Sequence, residues 1–151
     1  MWIFDPGRKR RPENGYQYPE RNSPISGQVV KLGLEGRKVK SLTPPDLDLY
    51  QRENYCPTFV AVNGERHGGN GDIWVAESYG QSYVQRYDQA GKYLGSINGE
   101  GGSAGRFNCP HAIFIDRRKT EPELYVADRA NRRMQVYDLA GESGKPSVLG
   151  F

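Results

Sequence analysis

Apolar and polar residues alternate along much of the chain, in short segments that are separated by glycine-bearing turns. The alternation is visible in FVAV, IWVAE and YVQRYD, and it returns in the same order in AIFI, LYVAD and MQVYD. Period-two alternation bounded by turn residues is typical of β-strands, and no segment combines helical spacing with helix caps. The sequence predicts strands near residues 57–62, 73–77, 83–88, 92–97, 111–115, 124–127 and 133–138.

These segments recur in three related units. The middle unit begins at CPTFVAV and the last at CPHAIFI, and each continues through a second strand, an acid-led turn and an alternating third strand. The first unit keeps only its later part, in residues 2–7 and 27–42. Four short strands in a repeat of about 40 to 50 residues are typical of one blade of a β-propeller.

The sequence therefore predicts an all-β fold, a β-propeller fragment of about three four-stranded blades. Its 151 residues suit a single domain with a core of its own. The predicted parts are a partial blade 1 over 1–44 with a loop insertion at 8–26, blade 2 over 55–98, blade 3 over 107–141, and the start of a next blade at 146–151.

Charge and hydropathy argue against two classes of partner. The 21 basic and 18 acidic residues give a formal net charge of +3, which is too mild for a nucleic-acid-binding surface. No apolar run approaches the roughly 18 residues that a membrane span needs. The first residues, MWIFDPGRKRRP, lack the order of a secretory signal. The basic run at 8–11 is interpreted as part of a solvated loop rather than as an anion-binding patch.

Two cysteines stand at matching places in the repeat. Cys56 and Cys109 each precede a proline at the start of a predicted strand. If they occupy equivalent positions of two blades, their Cα atoms lie beyond the limit of about 7 Å for a disulfide. We therefore predict that both remain thiols.

Longer stretches resemble known families. LYVADRANRRMQVYDLAG resembles the NHL repeat, whose blades build six-bladed β-propellers. The segments from PTFVAV to QAGKYL and from GRFNCPHAIFID to MQVYD are similar to the peptidyl-α-hydroxyglycine α-amidating lyase family and its bacterial relatives. The resemblance covers residues 55–141 well and 1–44 loosely. It implies NHL-type blades and a zinc-assisted cleavage that yields a peptide amide and glyoxylate.

The resemblance implies that His111 is a metal ligand. The family places a zinc-binding histidine in a Pro-His pair, which is found here in CPHAIFI, and neutral imidazole suits zinc. Three histidines form the family's zinc site, so His111 would need ligands outside this chain, and calcium is left open as another metal. The alternative, favoured for this chain alone, is a polar residue that lines the channel without metal.

The resemblance also implies two catalytic residues. Tyr79 corresponds to the tyrosine of the family's Asp-Gly-Tyr turn, which is implicated as the base toward the substrate hydroxyl. A phenol titrates near ~10, so this role needs a nearby cation or metal. The turn departs from the family at Glu77 and Ser78, and the alternative is that Tyr79 packs a β-rich surface. Arg129 corresponds to a family arginine near the metal, where it would hold a substrate carboxylate and favour the tyrosinate.

The neighbours of Arg129 fit an architectural role. The family's Asn-x-Arg turn ties adjacent blades by hydrogen bonds. Asn131 with either Arg132 or Arg133 matches that turn. The arginine cluster is therefore predicted to divide into one functional and two structural residues.

Two functions follow from these residues. One is an amidating-type lyase, inactive as this chain alone because one imidazole does not complete the site. The other is a non-catalytic propeller scaffold that binds a protein, glycan or small ligand. A peptide-like or other small ligand is the expected partner. Self-association through open blade edges is also expected, because uncovered blade faces expose apolar surface.

Overall fold

The computed structural model describes residues 1–7, 26–51, 55–100, 104–139 and 147–150. Within these ranges it contains eleven strands, one single-turn helix and two short 3₁₀ turns. The elements are β1 (Trp2–Asp5), β2 (Gln28–Leu32), β3 (Lys38–Leu42), α1 (Asp48–Gln51), β4 (Pro57–Val62), β5 (Ile73–Glu77), β6 (Tyr83–Tyr87), β7 (Tyr93–Ile97), β8 (Pro110–Asp116), β9 (Glu123–Asp128), β10 (Arg133–Asp138) and β11 (Ser147–Gly150).

The strands form three antiparallel sheets, which are the predicted blades. Their strand orders are β1-β2-β3, β4-β5-β6-β7 and β8-β9-β10-β11. Each of the seven predicted strands forms, with bounds that differ by at most one residue. The predicted all-β fold with about three blades is confirmed. No helix among the residues that the structure describes is long and apolar enough to cross a membrane.

Two features of the fold differ from the sequence-based expectation. The segment predicted to start a next blade instead pairs antiparallel with β10, as β11, and completes blade 3 as its fourth strand. This pairing covers the hydrogen-bonding edge of β10, which would otherwise be open. The helix α1 was not expected, because a single turn is too short to show helical periodicity.

The insertion at 8–26, with its basic run, lies outside the described residues except for Ser26.

Blades 1 and 3 pack against opposite faces of blade 2. The strand β5 lies in blade 2, and all of its residues are buried. Trp74 and Ala76 join the core between blades 2 and 3, whereas Ile73 and Val75 join the core between blades 1 and 2. Successive side chains of a strand point to opposite faces, so one apolar strand contributes to two cores. This packing fixes the spacing between the turns at the ends of neighbouring blades.

The edge strands β4 and β8 carry the same irregularity near their starts. The register shifts over residues 57–59 in β4 and over 110–112 in β8. Thr58 and His111 are the bulged residues, with no partner across the ladder. A β-bulge turns its side chain away from the regular alternation, and bulges are frequent beside functional sites.

The cysteines that precede these bulges are both buried, and no disulfide joins them. The prediction that Cys56 and Cys109 remain thiols is confirmed.

Candidate functional site

Three predicted site residues meet at one end of the junction between blades 2 and 3. The Tyr79 hydroxyl oxygen lies 2.9 Å from Nε2 of His111. Nη1 of Arg129 donates a hydrogen bond of 3.1 Å to the same hydroxyl oxygen. The structure thus brings together Tyr79, His111 and Arg129, which are distant in the sequence.

Each of the three side chains is placed by an irregular piece of backbone. His111 is the bulged residue of β8. Arg129 is the first residue of the 3₁₀ turn Arg129–Asn131, which directly follows β9. Because β8 and β9 are antiparallel neighbours, the start of β8 and the end of β9 lie at the same end of blade 3.

Tyr79 is presented by an enlarged turn in blade 2. Residues 78–82 join β5 to β6, whereas residues 129–132 join β9 to β10. The blade 2 turn is therefore one residue longer, as the sequence repeat indicated. Its start is anchored like that of blade 3: the Ser78 amide donates to the carbonyl of Cys56, and the Arg129 amide donates to that of Cys109, both at 3.2 Å.

A buried carboxylate holds the turn that carries Tyr79. The side chain of Glu77 is fully buried and accepts hydrogen bonds from the backbone amides of Gly80 and Gln81, both at 2.6 Å, and of Cys56 at 3.3 Å. Burial raises the pKa of Glu77 to about 7, although these amides favour the charged form. In the sequence, Glu77 stands out only because the turn departs there from the family's Asp-Gly-Tyr turn.

Asp128 has the equivalent role in blade 3. Its Oδ1 accepts from the Asn108 amide at 2.7 Å. Its Oδ2 accepts from Asn131 Nδ2 and Arg133 Nε, both at 2.8 Å. Arg133 also donates to the backbone carbonyls of residues 104–106, in the segment that leads from blade 2 into blade 3. Arg133, rather than Arg132, is therefore the arginine that ties the blades.

Chemistry fixes the direction of one hydrogen bond at Tyr79. A guanidinium only donates, so the Tyr79 oxygen accepts from Arg129. The 2.9 Å contact between the Tyr79 oxygen and Nε2 of His111 runs in either direction, according to the tautomer of the imidazole. Desolvation, and then the charge of Arg129, lower the pKa of His111, which favours the neutral imidazole.

The aromatic geometry matches the hydrogen bonds. The rings of Tyr79 and His111 meet edge to face, with centroids 5.6 Å apart and an interplanar angle of 84°. The guanidinium carbon of Arg129 lies 5.7 Å from the centroid of the Tyr79 ring. The cation is thus close to both the ring and the hydroxyl of Tyr79, where it stabilises negative charge on the oxygen.

The described residues do not by themselves supply a three-ligand zinc site. A catalytic zinc usually has three protein ligands. No group of three or more His, Cys, Asp or Glu side chains in the described part of the chain is arranged to hold a metal ion. Nε2 of His111 is also bonded to Tyr79. The donor set present here therefore does not fit the metal that the resemblance implies.

One pair of residues near the site was missed in the sequence. The buried hydroxyls of Thr58 and Ser78 lie 2.8 Å apart, and Ser78 donates to the carbonyl of Pro110 at 2.5 Å. Alignment of the two repeats could have indicated this pair. Thr58 occupies the bulge position of His111, and Ser78 occupies the position of Arg129 after the second strand of its blade.

The comparisons with known proteins agree with this fold. No protein-family model matches the chain. It is 29% identical to NHL repeat-containing protein 3 of Mus musculus over 139 residues, which are 91% of this chain and 35% of that protein. The protein of the same name from Homo sapiens is 28% identical over 141 residues, again 91% of this chain and 35% of that protein.

A named lyase is similar to the same degree. The probable peptidyl-alpha-hydroxyglycine alpha-amidating lyase pgal-1 of Caenorhabditis elegans is 30% identical over 123 residues, 79% of this chain and 33% of that protein. The chain spans about a third of the length of these curated relatives.

The three antiparallel sheets define the class as a β-propeller fragment, and the chain is similar to proteins named for NHL repeats. It is also similar, at modest identity, to a probable amidating lyase. The resemblance seen in the sequence is confirmed.

Proposed function

We propose that the chain carries the substrate-binding and proton-accepting residues of an amidating-lyase-type site. The substrate class is a peptide that ends in α-hydroxyglycine, and the products are the peptide amide and glyoxylate. The observation that carries this proposal is the hydrogen-bonded series Arg129–Tyr79–His111, which crosses two blades. Its three members are the residues that the family resemblance singled out.

Arg129 would bind the substrate carboxylate. A guanidinium has five donors in a planar fork that matches a carboxylate, and Nη1 donates to the Tyr79 oxygen here. In α-hydroxyglycine the carboxylate and the hydroxyl are attached to the same carbon. Binding the carboxylate at Arg129 therefore brings the hydroxyl within reach of Tyr79.

Tyr79 would take the hydroxyl proton of the substrate. Its hydroxyl oxygen lies 2.9 Å from Nε2 of His111, which would take the phenol proton, and Arg129 would stabilise the phenolate. As the phenolate accepts the hydroxyl proton, the C–O bond becomes the carbonyl of glyoxylate and the C–N bond breaks. The departing amide nitrogen then recovers a proton from Tyr79, so atoms and charges balance.

The chain alone is expected to bind this substrate without turning it over. A His111 whose pKa is lowered is a weak acceptor for a phenol proton. The described residues also do not supply the ligands of a metal that would polarise the hydroxyl. Zinc and calcium enter this proposal only with ligands from outside the described residues.

The test is a binding and turnover measurement on the 151-residue chain. The probe is an N-acyl-α-hydroxyglycine, with the corresponding N-acyl-α-hydroxyglycinamide as the control that lacks only the carboxylate. Calorimetry should detect binding of the acid but not of the amide. The variant Arg129→Gln should weaken binding at least about tenfold, as expected when a charge-assisted bidentate pair is lost. Equal binding of acid and amide would contradict the proposal.

Glyoxylate release is the second measurement. We expect none above background from the chain, with or without added zinc. Strong release would overturn the view that the described residues lack an essential part of the site. In that case Tyr79→Phe should abolish the release, since phenylalanine has no group that accepts the proton.

A non-catalytic binding scaffold is the second candidate function. It is favoured by the lack of a three-ligand group among the described residues. The names of two of the similar proteins also state only NHL repeats. If this function is correct, ligand binding should not depend on the α-hydroxyl, so an N-acyl-glycine should bind as tightly as the α-hydroxyglycine.

Self-association is a further part of the proposal. The edge strands β1, β4 and β8 expose aromatic side chains: Phe4 is 38%, Phe59 38% and Phe114 64% accessible. Phe4 and Phe59 stack on each other with centroids 6.0 Å apart. Such apolar groups on open edges favour contact with a second copy.

A further inference from the structure

A buried pair of hydroxyl groups lies directly beneath the candidate site. Thr58 and Ser78 are 6% and 4% accessible, and their oxygens are 2.8 Å apart. Ser78 Oγ also lies 2.5 Å from the carbonyl oxygen of Pro110. The pair therefore spans the junction between blade 2, which supplies both hydroxyls, and blade 3, which supplies the carbonyl.

The direction of these hydrogen bonds follows from the acceptors. A carbonyl only accepts, so the single hydroxyl hydrogen of Ser78 goes to Pro110. Ser78 must then accept from Thr58, whose alternative acceptor, the Ala76 carbonyl, is farther away at 3.4 Å. The series Thr58 to Ser78 to Pro110 thus has one consistent arrangement, and each hydroxyl is satisfied although buried.

The two ends of this series adjoin the two aromatic residues of the site. Ser78 directly precedes Tyr79, and Pro110 directly precedes His111. We propose that Ser78, oriented by Thr58, is a positioning residue that sets the distance between the Tyr79 hydroxyl and the His111 imidazole. It acts by fixing the backbone on both sides of the junction and contacts neither reacting group.

The backbone bond that starts the turn does not use the Ser78 hydroxyl. The backbone contact from Ser78 to Cys56 has its equivalent in the contact from Arg129 to Cys109 in blade 3. In that blade the residue matching Ser78 is Arg129, which has no hydroxyl, and the turn forms all the same. What the hydroxyl adds in blade 2 is the bond to the neighbouring blade.

The positioning role of Ser78 rests on the proposed function, but its test does not require turnover. The measurement is NMR on the full chain with labelled histidine and tyrosine, at one fixed pH. The readouts are the ring-to-ring NOE between Tyr79 and His111 and the Nε2 chemical shift of His111, which reports its hydrogen bond to Tyr79. The chain has 2 histidines, so His67, in the 3₁₀ turn Glu65–His67 of blade 2, is an internal reference.

Ser78→Ala should lose the NOE and shift the Nε2 signal of His111, while the His67 signals stay unchanged. A merely structural role would lower the thermal midpoint but leave the NOE and the Nε2 signal in place. Retention of both signals in folded Ser78→Ala would overturn the inference.

If Ser78→Ala does not fold, two variants of Thr58 test the positioning role instead. Thr58→Val keeps the side-chain shape but removes the hydroxyl that orients Ser78, whereas Thr58→Ser retains that hydroxyl. We expect Thr58→Val to lose the NOE and Thr58→Ser to keep it, and identical spectra for the two would refute the positioning role. If the NMR result holds but wild type does not bind N-acyl-α-hydroxyglycine, the proposed function fails and the positioning role stands.

Discussion

At the residue scale, one additional residue explains how Tyr79 reaches a neighbouring blade. The four residues 129–132 suffice to connect β9 to β10, and 78–82 are one more. The added length extends the turn, and the buried Glu77 fixes it by accepting bonds from two of its amides. Tyr79 is thus held by a rigid loop, which suits a group that must meet His111 at 2.9 Å.

The buried Glu77 should make stability depend on pH. Its pKa is raised to about 7 in the folded chain from the usual 4.5. Between these values the folded state binds a proton that the unfolded state has released, so the free energy of unfolding should fall as pH rises from 4.5 to 7. The full effect is on the order of 3 kcal/mol. Urea unfolding at several pH values measures it.

The variant Glu77→Gln should lose this pH dependence, because its side chain does not titrate. The matched control is Glu65→Gln, which removes the same charge at an exposed position. If wild type and Glu77→Gln show parallel pH profiles, the assignment of the proton to Glu77 is wrong.

At the element scale, the β9–β10 turn is closed by a carboxylate and an arginine. Asp128 is fully buried and forms an ion pair of 2.8 Å with Arg133. Arg133 also binds backbone carbonyls of residues 104–106, so one side chain joins a turn to the segment between two blades. Arg132 has φ 54° at the end of the same turn, a left-handed conformation that favours glycine.

The neighbouring arginines should therefore respond differently to substitution. Arg133→Ala leaves the buried Asp128 carboxylate without its cation and should destabilise the fold by about 3 kcal/mol. Arg132→Gly relieves a left-handed non-glycine residue and should be neutral or stabilise by up to about 1 kcal/mol. Chemical denaturation of both variants tests this, and equal losses would show that the two arginines share the structural role.

At the scale of the whole molecule, apolar residues on edge strands remain accessible. Phe114 on β8 is 64% exposed, and the chain spans about a third of the length of its curated relatives. For this chain, we propose that a second copy covers the exposed edge strands.

Light scattering should show that the apparent mass of the chain rises with concentration. Phe114→Ser should reduce this association, because it removes an exposed aromatic group from an edge strand. Leu34→Ser is the matched control, since Leu34 is 99% exposed but lies in the turn between β2 and β3. A stable monomer at all concentrations would contradict the proposal, as would an equal effect of both variants.

The sequence alone determined the strands, their grouping into blades and the site residues that deserved attention. These features are local or repeated: alternation fixes a strand, and the match between CPT and CPH aligns the two bulges. The predicted thiols follow from the same alignment.

The tertiary structure decided what depends on contacts between distant residues. The pattern of residues 147–150 is that of any strand, and only pairing with β10 shows that it completes blade 3. Asn131 is compatible with either neighbouring arginine, and only the buried Asp128 selects Arg133. The meeting of Tyr79 and His111 depends on two blades packing around β5. A one-dimensional pattern records which residues alternate, but packing and hydrogen-bond geometry across a blade junction decide which of them touch.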